Sequence, residues 1–420
     1  MDEKVTPYIT NDAVVLGILF TILAFVFITT TSARPFWLKL YKVVPSVLLC
    51  YFIPALLNTF NIISGEQSQL YPVASRYFLP ASLVLLTLSV DIPALKKLGP
   101  KALIMFFAAS FGVMIGGPLS VMIAGSISPG VLVQNNEEIW KGLATIAGSW
   151  IGGGANQAAM LEVFGASKTM FGQMVAIDVL VAYLWMGILL YGTQYNDRIN
   201  KWLKADSTAI TTLEKRMEGI DISVEKKRSG TREFIIVLGL AFGVTALSHF
   251  AADIIAPFFT THFPGSSKYS LTSGFFWLVS IATLVGLALS FTKAKRLESY
   301  GASEIGSLFL YFLIATIGMN MNLKALFTNP ALLLIALVWI LIHVVVMLVV
   351  AKIIRAPYFF IAVGSQANIG GPASAPIVAA AFNKYLAPVG VLLAVLGYAV
   401  GTYAAFLCGL GMKYVTGLFQ

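Results

Sequence analysis

Gly148-Ser149-Trp150-Ile151-Gly152-Gly153-Gly154-Ala155-Asn156-Gln157 and Gly364-Ser365-Gln366-Ala367-Asn368-Ile369-Gly370-Gly371-Pro372-Ala373-Ser374 are two glycine-rich breaks inside otherwise apolar segments. Their cores, Ile-Gly-Gly-x-Ala, align at an offset of 218 residues. Each lies in a stretch otherwise long enough to cross a bilayer, which takes about 20 apolar residues. Non-helical backbone at membrane depth is tolerated only where it is buried in protein or lines a cavity. A pair of such interruptions in corresponding halves is the sequence mark of a secondary transporter's binding site.

The rest of the chain suits that setting. Of its 420 residues 58% are hydrophobic and 11% charged, with mean hydropathy +0.84. Soluble domains carry about 25% charged residues. The composition is that of a polytopic membrane protein, expected to be all-α, with the lipid bilayer as its medium and the inner (plasma) membrane as its expected, multi-pass location. Met1 to Asp12 are polar and lack a signal-peptide pattern, so Ala13–Thr31 is read as a retained span. The net charge of +9 is read as the Lys and Arg excess of cytoplasmic loops. Nucleic acid is not an expected partner, because no basic patch is interleaved with stacking aromatics. Cys50 and Cys408 both fall in apolar spans and read as buried small hydrophobes.

Twelve apolar segments can be counted, near 13–33, 41–62, 77–95, 101–125, 140–164, 169–193, 233–259, 271–292, 303–321, 330–353, 358–381 and 386–413. The breaks fall in 140–164 and 358–381. A charged linker, 195–232, separates a first half (1–194) from a second (233–420), with a short surface helix expected around Thr211–Glu218. The halves match beyond the breaks. Leu86-Thr87-Leu88-Ser89-Val90-Asp91, with Leu95-Lys96, aligns with Ala315-Thr316-Ile317-Gly318-Met319-Asn320, with Leu323-Lys324. Pro100 and Pro330 then open the next apolar segment. This order of features reads as an internal duplication. Lys and Arg near 34–42, 96–101, 195–232, 293–296 and 352–355 should all be cytoplasmic. Twelve complete spans cannot satisfy that. They would give the repeats one orientation, whereas the charges favour inverted repeats. One span is therefore miscounted, or one segment is re-entrant.

Chemistry is expected at the breaks. Gly153 and Gly371 let the helix unwind, and an added Cβ is expected to crowd the place where the breaks meet. Unwound carbonyls can coordinate a cation, and half-helix N-termini can meet an anion. Ser149, Asn156, Gln157, Gln366, Asn368 and Ser374 supply neutral donors and acceptors at that depth. Asp178 is the sharpest single residue: an ionisable group well inside a span is functional by default. It reads as a cation ligand or a titrating group, and the second half has no acid at the corresponding place near Leu396-Gly397-Tyr398. Gln173, five residues earlier, is a weaker lining candidate. Glu162 is placed near the water interface, Asp91 as a cap, His249 with Asp253 as a helical pair, and His343 as a packing residue. No nucleophile elbow or Walker loop is present. The chain is not expected to be an enzyme, and no cofactor beyond a bound Na⁺ is called for.

Two repeats, each with a broken helix followed by a helix bearing an acid or polar cation ligand, resemble the sodium/proton antiporter and bile-acid–sodium symporter superfamily. The chain also resembles, along nearly its whole length, a bacterial membrane family known mainly as a domain of unknown function, with plant relatives. The resemblance implies a panel domain and a core domain, broken helices 148–164 and 364–381 that cross, an elevator motion, and a homodimer. By the antiporter pattern Asp178 is the titrating aspartate; by the symporter pattern Asn156 holds sodium. A double aspartate is missing, since Ile177 and Val179 flank Asp178, and Gln366 and Asn368 stand where the symporter has an acidic ligand.

The expected function is cation-coupled (Na⁺ or H⁺) transport of a small polar organic solute: an organic acid, an amino-acid derivative or a short peptide. The alternatives are a monovalent cation/proton antiporter and, from another class, a membrane scaffold or sensor that does not transport.

Overall fold

A computed structural model describes residues 7–206, 208–217, 230–321 and 329–420. The chain is an all-α membrane protein with several apolar spans. Its first half comprises α1 (Asp12–Thr30), α2 (Pro35–Val43), α3 (Ser46–Thr59), α4 (Leu70–Val73), α5 (Leu79–Leu88), α6 (Ile92–Lys97), α7 (Pro100–Ile127), α8 (Ile139–Phe164) and α9 (Lys168–Gly192). Helices α10 (Asn196–Leu203) and α11 (Thr208–Met217) follow. The second half comprises α12 (Thr231–His262), α13 (Gly274–Ser290), α14 (Ala302–Gly318), α15 (Pro330–Ile353), α16 (Tyr358–Ile369), α17 (Gly371–Phe382) and α18 (Ala387–Thr416). Among the described residues six helices are long and apolar enough to cross a bilayer, and up to eight if two sharply bent pairs count as spans. Outer helices such as α1, α12 and α15 leave Phe25, Phe250 and Leu341 exposed, as lipid-facing surfaces require.

The two broken segments do not run through. A straight helix would hold Trp140 and Phe164 about 36 Å apart. Their ring centroids are 5.3 Å apart, and Ser167 N donates to Glu137 Oε1 at 2.7 Å. Helix α8 therefore folds back on itself at Gly153, whose φ of 72° and ψ of −175° are non-helical. The second segment does the same: Phe359 and Phe382 have centroids 5.4 Å apart, with Gly371 at φ 63° between them. The expected crossing helices are corrected to two helical hairpins. The reason is that a backbone in these glycine-favoured conformations reverses the chain instead of kinking it. The two turning glycines keep the 218-residue offset of the sequence cores.

The hairpins enter from opposite ends of α7. The base of the first lies beside the β-turn that follows α7, where β1 (Val133–Gln134) pairs with β2 (Glu137–Glu138). Asn135 and Asn136 make that turn with φ of 50° and 61°, a conformation asparagine tolerates. The base of the second lies at the other end. There Lys101 pairs with Asp206 at 2.9 Å, Asp206 N donates to Arg355 O, and Asn200 Oδ1 accepts from Tyr358 N at 2.8 Å. The Thr208 hydroxyl, then the Lys101 ammonium, hold the Asp206 carboxyl down at about 2. Asn383 donates to Glu214 at 2.8 Å. The linker expected to be solvated is thus partly docked, with Leu203 and Leu213 buried. Its helix spans Thr208–Met217; Glu218, Lys226, Lys227 and Arg228 lie outside the described residues, as do Leu323 and Lys324. Pro100 and Pro330 open α7 and α15 as expected, since proline suits the first turn.

Candidate ion and solute site between two hairpins

Helix legs of 11 to 14 residues are about 17–21 Å long, so hairpin tips reach the middle of a hydrocarbon layer about 30 Å thick. At the first tip, Trp150 on the entering leg and Gln157 on the returning leg both turn to α9. Trp150 Nε1 donates to Asp178 Oδ1 at 2.7 Å, and Gln157 Nε2 to Oδ2 at 3.1 Å. The Ser149 side chain adjoins the same carboxylate. Asp178 is 6% exposed, and every one of these donors is neutral. A carboxylate at a span's centre costs about 2.5–3.5 kcal/mol on insertion scales. Hydrogen bonds to a charged group contribute about 1.5–3 kcal/mol each, enough for two to offset that cost. The hydroxyl of Tyr51, on α3, is buried without a partner, and its ring lies within electrostatic reach of Asp178.

Asn156, one residue before Gln157, faces the other way. Its Nδ2 donates to Gly152 O at 2.9 Å and its Oδ1 accepts from Thr402 at 2.5 Å, so it ties the returning leg to α18. Asn368 ties α16 to α7: its Oδ1 accepts from Ser110 at 2.7 Å, and its Nδ2 donates to Gly364 O and Phe106 O. These two amides have both ends bonded to packing neighbours. The structure brings Gln157, not Asn156, onto Asp178. Gln173 accepts from Gln134 at 3.3 Å, toward the outer end of α9. Gln366 donates to Ser374 at 2.8 Å across the second tip.

The expected crowding at Gly153 and Gly371 is corrected. A Cβ on Gly153 would meet only Tyr398, at 3.5 Å, and one on Gly371 nothing within 4 Å. Positive φ is what selects glycine at both. The close approach lies one residue earlier and across the helix pair: a Cβ on Gly152 would come 2.7 Å from the Gly401 Cα of α18.

A second buried node was undervalued in the sequence. His343, on α15, presents Nδ1 to Ala109 O at 3.2 Å and Nε2 to Ser365 Oγ at 2.8 Å. Trp185 Nε1 donates to the same Ser365 Oγ at 2.8 Å. A carbonyl only accepts, so Nδ1 carries the proton. Ser365 then donates to Nε2 and accepts from Trp185, which makes a closed neutral set. His343 is the satisfied packing residue expected, yet it fixes the second hairpin. Trp185 and Asp178 are seven residues apart on one face of α9, so this helix holds both hairpins. That spacing was the available signal. Ser365→Ala would strand the indole N–H and the imidazole nitrogen, each costing about 1–3 kcal/mol. We expect a loss of roughly 2–6 kcal/mol in reversible denaturation; unchanged stability would show that the node does not hold the hairpin.

The remaining candidates are structural. Asp91 caps Ala94 N at 3.0 Å and pairs with Lys295; Glu162 pairs with Lys168 at 3.1 Å; His249 bonds Arg76 O, not Asp253. Among the described residues no group of three or more His, Cys, Asp or Glu side chains is placed to hold a metal ion.

A family model described as "Protein of unknown function (DUF819)" matches residues 17–415. The chain is also similar to the uncharacterized membrane protein YjcL of Bacillus subtilis (strain 168). The two are 25% identical over 354 residues, which is 82% of this chain and 84% of the relative.

Proposed function

This chain belongs to the DUF819 family, and we propose, from the geometry of its site, that it is a cation-coupled secondary transporter of a small polar organic solute. The observation that carries this reading is Asp178: a buried carboxylate held by neutral donors from both legs of a hairpin that packs against a second hairpin entering from the opposite end. A scaffold has no use for such a charge at that depth.

Alternating access follows from inverted repeats over 1–194 and 233–420, joined by 195–232. In each repeat one hairpin replaces one of six spans, leaving five crossings. An odd number inverts the second repeat, and all five basic segments then share the cytoplasmic side. That resolves the conflict between twelve spans and the charge pattern. The hairpins with α7, α9, α15 and α18 would form the moving core, and α1, α3, α5 and α12–α14 the panel. Asp178, with Ser149 and carbonyls freed by the turn at Gly153, would hold Na⁺ or carry H⁺; Asn156 supports that site by fixing the leg.

The test is the melting temperature of purified protein in detergent across Na⁺, Li⁺, K⁺ and pH. A ligand of the folded state raises stability by RT ln(1 + [L]/Kd). A sodium-specific rise supports a sodium site, and a purely pH-dependent rise supports protons. No ion-specific or pH-dependent shift would remove the coupling reading.

A further inference from the structure

At the tip of the second hairpin, α17 begins without a side-chain cap. Gly371 is itself buried, yet a Cβ on it would meet no atom within 4 Å, and Ala373, two residues on, is exposed. A twelve-residue helix that starts uncapped presents the N–H groups of Gly371 and Ala373, Pro372 between them having none, and the positive end of its dipole. Helix starts of this kind bind anions. An independent observation points to a ligand there. Gln366 is 1% exposed, and its Nε2 is spent on Ser374, while its Oε1 is buried with no partner. The amide lies across the turn itself, because a Cβ on Gly370 would run into both Gln366 and Ser374. Asn156 and Asn368 have both amide ends bonded; Gln366 has its acceptor end buried without a partner beside the tip. A buried acceptor left unmade costs about 1–3 kcal/mol.

We propose that this tip is a half-site for a small 2-hydroxy or 2-amino carboxylate. The carboxylate sits on the N–H groups that open α17, and the adjacent hydroxyl or ammonium donates to Gln366 Oε1. No basic side chain is needed, since the helix start supplies the positive field. The site is separate from Asp178, which belongs to the first hairpin. It deepens the transporter reading and rests on it for its role, though not for its existence.

The test uses the purified full-length protein at fixed Na⁺, with lactate, alanine, propionate and sulfate as probes. Lactate or alanine is expected to raise the melting temperature, with propionate and sulfate, which lack the second donor, each at least about tenfold less potent. Gln366→Leu is expected to lose the carboxylate shift. Should that variant fail to fold, Ala373→Cys gives a second readout, because Cys50 and Cys408 are buried and add little background. Lactate or alanine should slow its maleimide labelling several-fold. Propionate matching both probes, a full shift in Gln366→Leu, or labelling indifferent to carboxylates would overturn the proposal. A carboxylate shift without any ion-dependent shift would keep this site and sink cation coupling; the reverse would keep coupling and sink this site.

Discussion

Asp178→Asn is expected to fold and to lose every ion-dependent or pH-dependent gain in stability, with coupled uptake falling to background in proteoliposomes. The amide keeps the size of the carboxylate and one acceptor for Trp150 Nε1. Its new N–H₂ group would oppose the donor of Gln157, but a carboxamide can turn end for end and offer its oxygen instead. The stability cost should stay within about 1–2 kcal/mol, one exchanged hydrogen bond. Asp178→Ala is different: it strands a buried indole N–H and a buried amide, for roughly 2–5 kcal/mol. The pair separates charge from clasp. If Asp178→Asn transports at the wild-type rate with the same ion dependence, the carboxylate is only a clasp and the coupling site lies elsewhere.

Gly401→Ala is expected to be among the most damaging substitutions away from any charge. Its Cβ would be driven into the backbone of Gly152, so no rotamer change relieves the clash; the first hairpin or α18 must move. Overpacking costs about 1–3 kcal/mol where side chains can give way, and a methyl pressed onto backbone should sit at about 3 kcal/mol. Gly153→Ala acts by another route. It fits sterically but places an L-residue in a glycine-only conformation, worth about 1–3 kcal/mol. The two can be told apart with a larger side chain. Valine at 401 should be worse than alanine, because crowding grows with volume, whereas serine at 153, barely larger than alanine, should resemble it there. Gly401→Ala melting with the wild type would mean that α18 does not press on the hairpin leg.

Several features are legible along the chain before it folds. Apolar composition gave the membrane class. The paired Ile-Gly-Gly-x-Ala cores located both turning glycines to the residue, because positive φ admits little else. Asp178 stood out because a carboxylate in a span is rarely idle, and Pro100 and Pro330 marked two helix starts. The basic loops showed that twelve full spans were too many. Tertiary structure alone decided the rest. A glycine break permits a kink as readily as a reversal, and only the meeting of Trp140 with Phe164, and of Phe359 with Phe382, shows the chain turning back. Consecutive helix residues point about 100° apart, so whether Asn156 or Gln157 faces Asp178 depends on how the returning leg is rotated against α9. His343 and Ser365 lie on different helices, and the bond between them exists only once α15 and the second hairpin are packed together.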